Sequence, residues 1–180
     1  MATVNISPDA TTYNQWTIAG GSGTVHQNLA DSSDTSYIYT ADQNDVSIVT
    51  LGDLGAALTA TAIISSIRFY VRGVFSNTRS GNTDIQVILT DASASTYYAE
   101  TITLNFTAGY APEDHYGTAR TTSDGSTAWT TSDINGLRLN INTSPEDPAG
   151  AARATVMKAY VEVTYTLASV DNSVFFGCNF

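Results

Sequence analysis

At 180 residues, 42% of them hydrophobic, the chain is long enough to bury a core without disulfide or metal and too apolar to stay disordered. Its formal net charge of −10, with only 7 Lys plus Arg, excludes the clustered cations that a phosphate backbone demands, so nucleic acid is not an expected partner. The lone cysteine, Cys178, has no internal partner and builds no zinc site, and no apolar run approaches the roughly 18 residues of a transmembrane helix.

The start, Met1-Ala-Thr-Val-Asn-Ile-Ser-Pro8, lacks a basic stretch followed by an apolar one, which predicts synthesis in a cytoplasm and not secretion. Residues 1–12 read as a polar N-terminal arm. Short strands are predicted near Tyr13–Ile18, Tyr37–Thr40 and Val46–Leu51, rich in the β-branched and aromatic residues that a pleated surface favours. Asp53–Thr61 is Ala-rich but short, and reads as a loop or one helical turn. Period-two alternation is plainer further on. Ile67, Phe69 and Val71 oppose Ser66, Arg68, Tyr70 and Arg72; Ile85, Val87 and Leu89 oppose Asp84, Gln86 and Ile88. Tyr98, Glu100, Ile102, Leu104 and Phe106 share one side of the next strand, and Leu137, Leu139 and Ile141 follow with Arg138 and Asn140 outward. The last strand sets Val161, Val163, Tyr165 and Leu167 against Tyr160, Glu162, Thr164 and Thr166. Turn chemistry separates these runs, as at Gly20-Gly21-Ser22-Gly23, Ser80-Gly81-Asn82 and Asp124-Gly125.

About eight strands with clean in/out alternation predict an all-β sandwich of two antiparallel sheets, occupying residues 13–168. Residues 169–180 form a C-terminal arm beyond it, ending Val174-Phe175-Phe176-Gly177-Cys178-Asn179-Phe180. Aromatic residues left in water are costly, so this arm is expected to bury itself on its own sandwich or on a neighbouring subunit.

Catalytic chemistry finds little to work with. His26 and His115 are the candidate imidazole bases, and neither lies beside a Gly-x-Ser-x-Gly elbow. Glu100, Glu162, Glu113 and Asp114 are the carboxylates that a hydrolase would need in pairs, but two of them fall within strands. Asp31-Ser-Ser-Asp34 and Asp42-Gln-Asn-Asp45 offer hard oxygens for calcium, yet lack EF-hand spacing and are explained as well by Asx-turns. No enzyme activity, cofactor or metal is therefore expected. A sugar-binding module would need an exposed aromatic platform, for which Trp16, Trp129 and the tyrosines are candidates, although a Trp at a strand start is worth most in a core.

Three segments taken together carry a resemblance: Trp16-Thr-Ile-Ala-Gly20-Gly-Ser with Leu29-Ala-Asp31-Ser-Ser-Asp34-Thr-Ser-Tyr37-Ile38; Ile64-Ser-Ser-Ile67-Arg68-Phe69-Tyr70-Val71-Arg72; and Trp129-Thr-Thr-Ser-Asp133-Ile-Asn-Gly136-Leu137-Arg-Leu139 with Ala159-Tyr160-Val161-Glu162-Val163-Thr164-Tyr165. This pattern resembles small jelly-roll domains of tailed-phage virion proteins, among them capsid decoration (cement) proteins and head or tail fibres. The resemblance implies a jelly roll, a place on the virion's capsid surface, and a homotrimer seated on the major capsid protein; that neither nucleic acid nor membrane is a partner is expected from the charge and the lack of a long apolar run. On that reading the chain stabilises the head by bridging capsid proteins, and Val174, Phe175, Phe176 and Phe180 are the expected partner contacts. The alternative is a carbohydrate-binding or fibre β-sandwich module.

Overall fold

A computed structural model of the chain describes residues 1–21, 23–42, 44–76, 83–104, 111–143 and 153–168. Among them the elements run β1 (Ala2–Ile6), β2 (Pro8–Asn14), β3 (Thr17–Ala19), α1 (Val25–Ala30), β4 (Tyr37–Thr40), β5 (Val46–Leu51), α2 (Ala56–Thr61), β6 (Ala62–Ser76), β7 (Thr83–Thr90), β8 (Thr96–Leu104), β9 (Glu113–Tyr116), α3 (Thr131–Asn135), β10 (Arg138–Thr143) and β11 (Arg153–Leu167). None of these helices is long and apolar enough to cross a membrane.

Two antiparallel sheets result. The first has the order β3-β4-β11-β6-β9, with β1 also paired to β11; the second has the order β2-β5-β10-β7-β8. Strands β4 to β11 are the eight of a jelly roll: β4 neighbours β11, β5 neighbours β10, β6 neighbours β9 and β7 neighbours β8, as if one long ribbon had been rolled up. The all-β jelly-roll sandwich read from the sequence is the observed fold. Its core lies where the inward residues of both sheets meet, including Ile38, Ile67, Phe69, Val71, Ile85, Val87, Leu89, Leu139, Ile141, Val161 and Val163, each essentially inaccessible to water.

The N-terminal residues differ from the expected arm. Residues 2–6 lie along β11, Val4 opposite Val163 and Ile6 opposite Val161, and residues 8–14 pair with β5. The apolar face of β1 is only Val4 and Ile6, too short to stand out among Thr and Asn, but Ile6 is buried in the core. The chain changes sheets at Ser7, whose carbonyl accepts the Gly52 N–H at 3.0 Å. Pro8 opens an edge strand, a place where its missing N–H costs nothing. The C-terminal arm, 169–180, lies outside the described residues, as do Asn105 and Phe106.

The two sheets are bolted together beside the short edge strand β9. Pairing of β6 with β9 stops at Tyr70–Tyr116 and resumes as an isolated bridge between Ile67 and Arg120. The Phe69 N–H falls near this gap and donates to the Tyr98 hydroxyl, from the opposite sheet, at 3.2 Å. Phe69 and Tyr98 stack with centroids 6.1 Å apart. Gly117, whose N–H donates to the Phe69 carbonyl, has no room for a side chain: a Cβ there would meet the Phe69 ring at 2.4 Å. Tyr98→Phe leaves the Phe69 N–H buried without an acceptor and should lower unfolding free energy by about 1–2 kcal/mol in urea titration; an unchanged midpoint would show that the bolt contributes nothing.

Candidate functional site

The sequence-stated candidates disperse in the structure. Trp16 is 2% and Trp129 4% exposed, with their indole N–H groups donating to the carbonyls of Asp45 and Arg120. Both are core anchors, so neither supplies a sugar platform. His26 shares a hydrogen bond of 3.0 Å between its Nδ1 and the Thr11 hydroxyl, which also accepts the His26 backbone N–H. No carboxylate in the described hydrogen bonds orients that imidazole. His115 lies on β9 opposite Val71, its Nε2 buried with no hydrogen-bond partner among the described residues. Glu100 is spent on the loop after β9, accepting from the N–H and hydroxyl of Thr118 at 2.8 and 2.9 Å. The Asp-rich loops are turns: Asp31 accepts the Ser33 N–H, and Asp45 takes the Thr40 hydroxyl. Among the described residues no group of three or more His, Cys, Asp or Glu is arranged to hold a metal. Cys178, Val174, Phe175, Phe176 and Phe180 lie outside the described residues.

What the structure does assemble is a face of the first sheet. Inward-pointing Ile67, Phe69 and Val71 on β6 oblige Arg68, Tyr70 and Arg72 to point outward. On β11 the register slips by one residue at Met157, which turns Lys158, Tyr160 and Glu162 to that same outer side, opposite Arg72, Tyr70 and Arg68. Strand β9 adds Asp114 opposite Arg72 and Tyr116 opposite Tyr70. On β4, Ile38 is buried, so its neighbours Tyr37 and Tyr39 also face out, with ring centroids 6.1 Å apart. Five of the chain's 10 tyrosines thus share one sheet face.

The groups on this face are joined. Tyr70 stacks on Tyr160 at 4.4 Å and meets Tyr116 edge-on at 5.1 Å. The Arg68 guanidinium lies 4.4 Å above the Tyr116 ring and donates to Glu162 at 2.7 Å. Arg72 grips Asp34 with two bonds, Nε to Oδ1 at 2.7 Å and Nη2 to Oδ2 at 2.8 Å. Its Nη1 donates to Asp114 Oδ1 at 2.6 Å, and the Tyr70 hydroxyl donates to the same oxygen at 2.7 Å. Lys158 stands 5.7 Å from the Tyr160 ring. The hydrogen bonds from Arg72 hold the carboxyls of Asp34 and Asp114 below the usual carboxylate range, with Tyr70 adding to the effect on Asp114. Burial, and then the neighbouring Tyr116 phenol, pushes the Tyr160 hydroxyl up to about 12. Tyr70 and Tyr160 are 6% and 8% exposed, whereas Tyr116 is 49% exposed: two rings form a buried base for a third that meets solvent.

The signal for this face was present in the alternation, which already put Arg68, Tyr70 and Arg72 together and Tyr160 with Glu162. Only the adjacency of the two strands, and the bulge that aligns their outer faces, was missing.

No protein-family model and no curated protein matches the chain. Similar solved structures are β-sandwich domains, both carbohydrate-binding modules and virus capsid proteins. An arabinose-bound MgGH51 α-L-arabinofuranosidase superposes with a TM-score of 0.49 at 8% identity over 90% of this chain, which spans 23% of that enzyme. The CBM36-1 domain of a multidomain xylanase from the hindgut metagenome of Trinervitermes trinervoides gives 0.42 at 13% identity, covering 91% of this chain and 97% of the domain. Turnip Yellow Mosaic Virus gives 0.30 at 12% identity, covering 92% and 99%. With TM-scores below 0.5, these likenesses carry no argument about this chain.

Because Arg72 depresses both aspartates in the folded state, their contribution to stability is complete above the unfolded carboxyl value of about 3.9 and is lost as pH falls through the lower folded values. Both are about half exposed, so solvent screening keeps the effect below about 1 kcal/mol. Arg72→Gln should flatten the fall in melting temperature between about pH 5 and pH 2; an equally steep fall in the variant would contradict the assignment.

Proposed function

We propose that this chain is a non-catalytic glycan-binding module whose binding surface is the outer face of the β9-β6-β11-β4 sheet. The observation that carries the reading is Tyr116, half exposed on a base of two buried tyrosines and framed by Arg68, Arg72, Asp34 and Asp114. A sugar ring offers an apolar C–H face and a rim of hydroxyls. An aromatic ring covers the first, while planar charged side chains, already fixed by their own ion pairs, meet the second at little entropic cost. The platform is built from tyrosines in place of the two tryptophans considered from sequence.

A second reading, the capsid cement protein of a tailed phage, draws on a different feature. Ile63 and Leu167 are 59% and 60% exposed at the same end of β6 and β11, just before the chain continues toward Val174, Phe175, Phe176 and Phe180. Contact through that end with a second copy and with a major capsid protein would suit a trimer on a virion surface.

The two readings part experimentally. Tyr116→Ala should weaken binding to a responsive polysaccharide by tenfold or so while leaving the melting temperature within a few degrees; full retention of affinity would remove the face from consideration. The cement reading expects a trimer by light scattering that is lost on deleting residues 169–180, and the same mass with and without those residues would count against it.

A further inference from the structure

We infer that the ligand of this face is an uncharged glycan, held through hydroxyls that donate to Asp34 and Asp114, and that uronate or sulfate-bearing chains are rejected. This rests on the glycan-binding reading and specifies its substrate class.

The charges on the face balance in number. Three cations, Arg68, Arg72 and Lys158, stand with three carboxylates, Glu162, Asp34 and Asp114, and ion pairs join Arg68 to Glu162 and Arg72 to both aspartates. Three of Arg72's N–H groups point at aspartate oxygens, and Arg68's Nε is committed to Glu162 while its guanidinium carbon stands 4.4 Å from the Tyr116 ring centroid. A carboxylate or sulfate on a ligand would have to displace a charge-assisted, partly bidentate pair to reach the fork of Arg72. It would also be brought beside two ionised aspartates, each about half exposed.

The two aspartates leave acceptor valences open. Both bonds to Asp114 fall on Oδ1, so Oδ2 remains to receive a hydroxyl proton. Asp34 spends one bond on each oxygen, and a carboxylate oxygen accepts two. The Arg72 bonds keep both groups ionised, and hence acceptors only, well into acid. Hydroxyl groups, which donate freely and carry no charge, are the complementary chemistry. A cluster tuned for anions would instead leave the fork of Arg72 unpaired toward solvent.

The test is isothermal titration calorimetry of the full chain against matched polysaccharides: dextran with dextran sulfate, hydroxyethyl cellulose with carboxymethyl cellulose, and galactan with polygalacturonate. At least one uncharged member should bind, its charged partner should bind about tenfold or more weakly, and raising salt from about 50 to about 500 mM should alter the uncharged affinity by no more than about twofold. Asp114→Asn should weaken the uncharged ligand several-fold, with near-ultraviolet dichroism reporting whether the tyrosine stack is intact. Tighter binding of any charged member overturns the inference and leaves glycan binding standing; unchanged affinity in Asp114→Asn with the stack intact overturns the role given to the aspartates. Binding of none of the six overturns both this inference and the reading beneath it.

Discussion

The pairing of β6 with β11 is the constraint on which the rest of the molecule depends. The two strands run antiparallel from Arg153 opposite Ser76 to Leu167 opposite Ala62, and each also carries neighbours on its other edge. Their inner face contributes Ile67, Phe69, Val71, Val161 and Val163 to the core. Their outer face carries the tyrosines and ion pairs. One set of backbone hydrogen bonds thus fixes both the part of the protein that excludes water and the proposed binding face. The slip at Met157 is what makes this possible, since the extra residue reverses the parity of β11 and so puts Lys158, Tyr160 and Glu162 on the side of Arg72, Tyr70 and Arg68.

The site also depends on groups that never reach it. Strand β9 has four residues and one paired edge among the described strands, too little by itself to hold Asp114 and Tyr116 in place. It is secured from the opposite sheet: Tyr98 receives the Phe69 N–H and Glu100 holds Thr118, while Gly117 lets the chain pass close against the Phe69 ring. Packing between the sheets therefore sets the position of the exposed aromatic ring, and the core and the tyrosine face are not separable parts.

Much of this was legible in the sequence, for a physical reason. Strands such as 84–89 and 137–141 bury one face only, so alternation reports them directly, and in 66–72 and 160–167 the pattern is broken only where Tyr70 and Tyr160 bury each other on the outer face. The burial of Trp16 and Trp129 followed from the value of sealing a large ring. Less visible were elements too short for a period to develop. Strand β1 shows two inward apolar residues, and α1 hides in six residues whose buried positions are Val25, Asn28 and Leu29. Helix α3 did carry a signal, since Thr130 and Asp133 form a capping box, with the Asp133 N–H reaching the Thr130 hydroxyl and the Thr130 N–H reaching the Asp133 carboxylate. The tyrosine face was out of reach because its members are distant in sequence. Tyr70, Tyr116 and Tyr160 meet only once strand order and a bulge are known.

The placement of the aromatic residues also divides the protein's optical reporters. Both tryptophans are buried, while five tyrosines lie on the outer face, two of them stacked at 4.4 Å. Indole emission therefore follows the integrity of the fold, and the five outer tyrosines make ultraviolet absorption sensitive to what happens on the face. Unfolding and changes on the face can be followed at different wavelengths in one unlabelled sample.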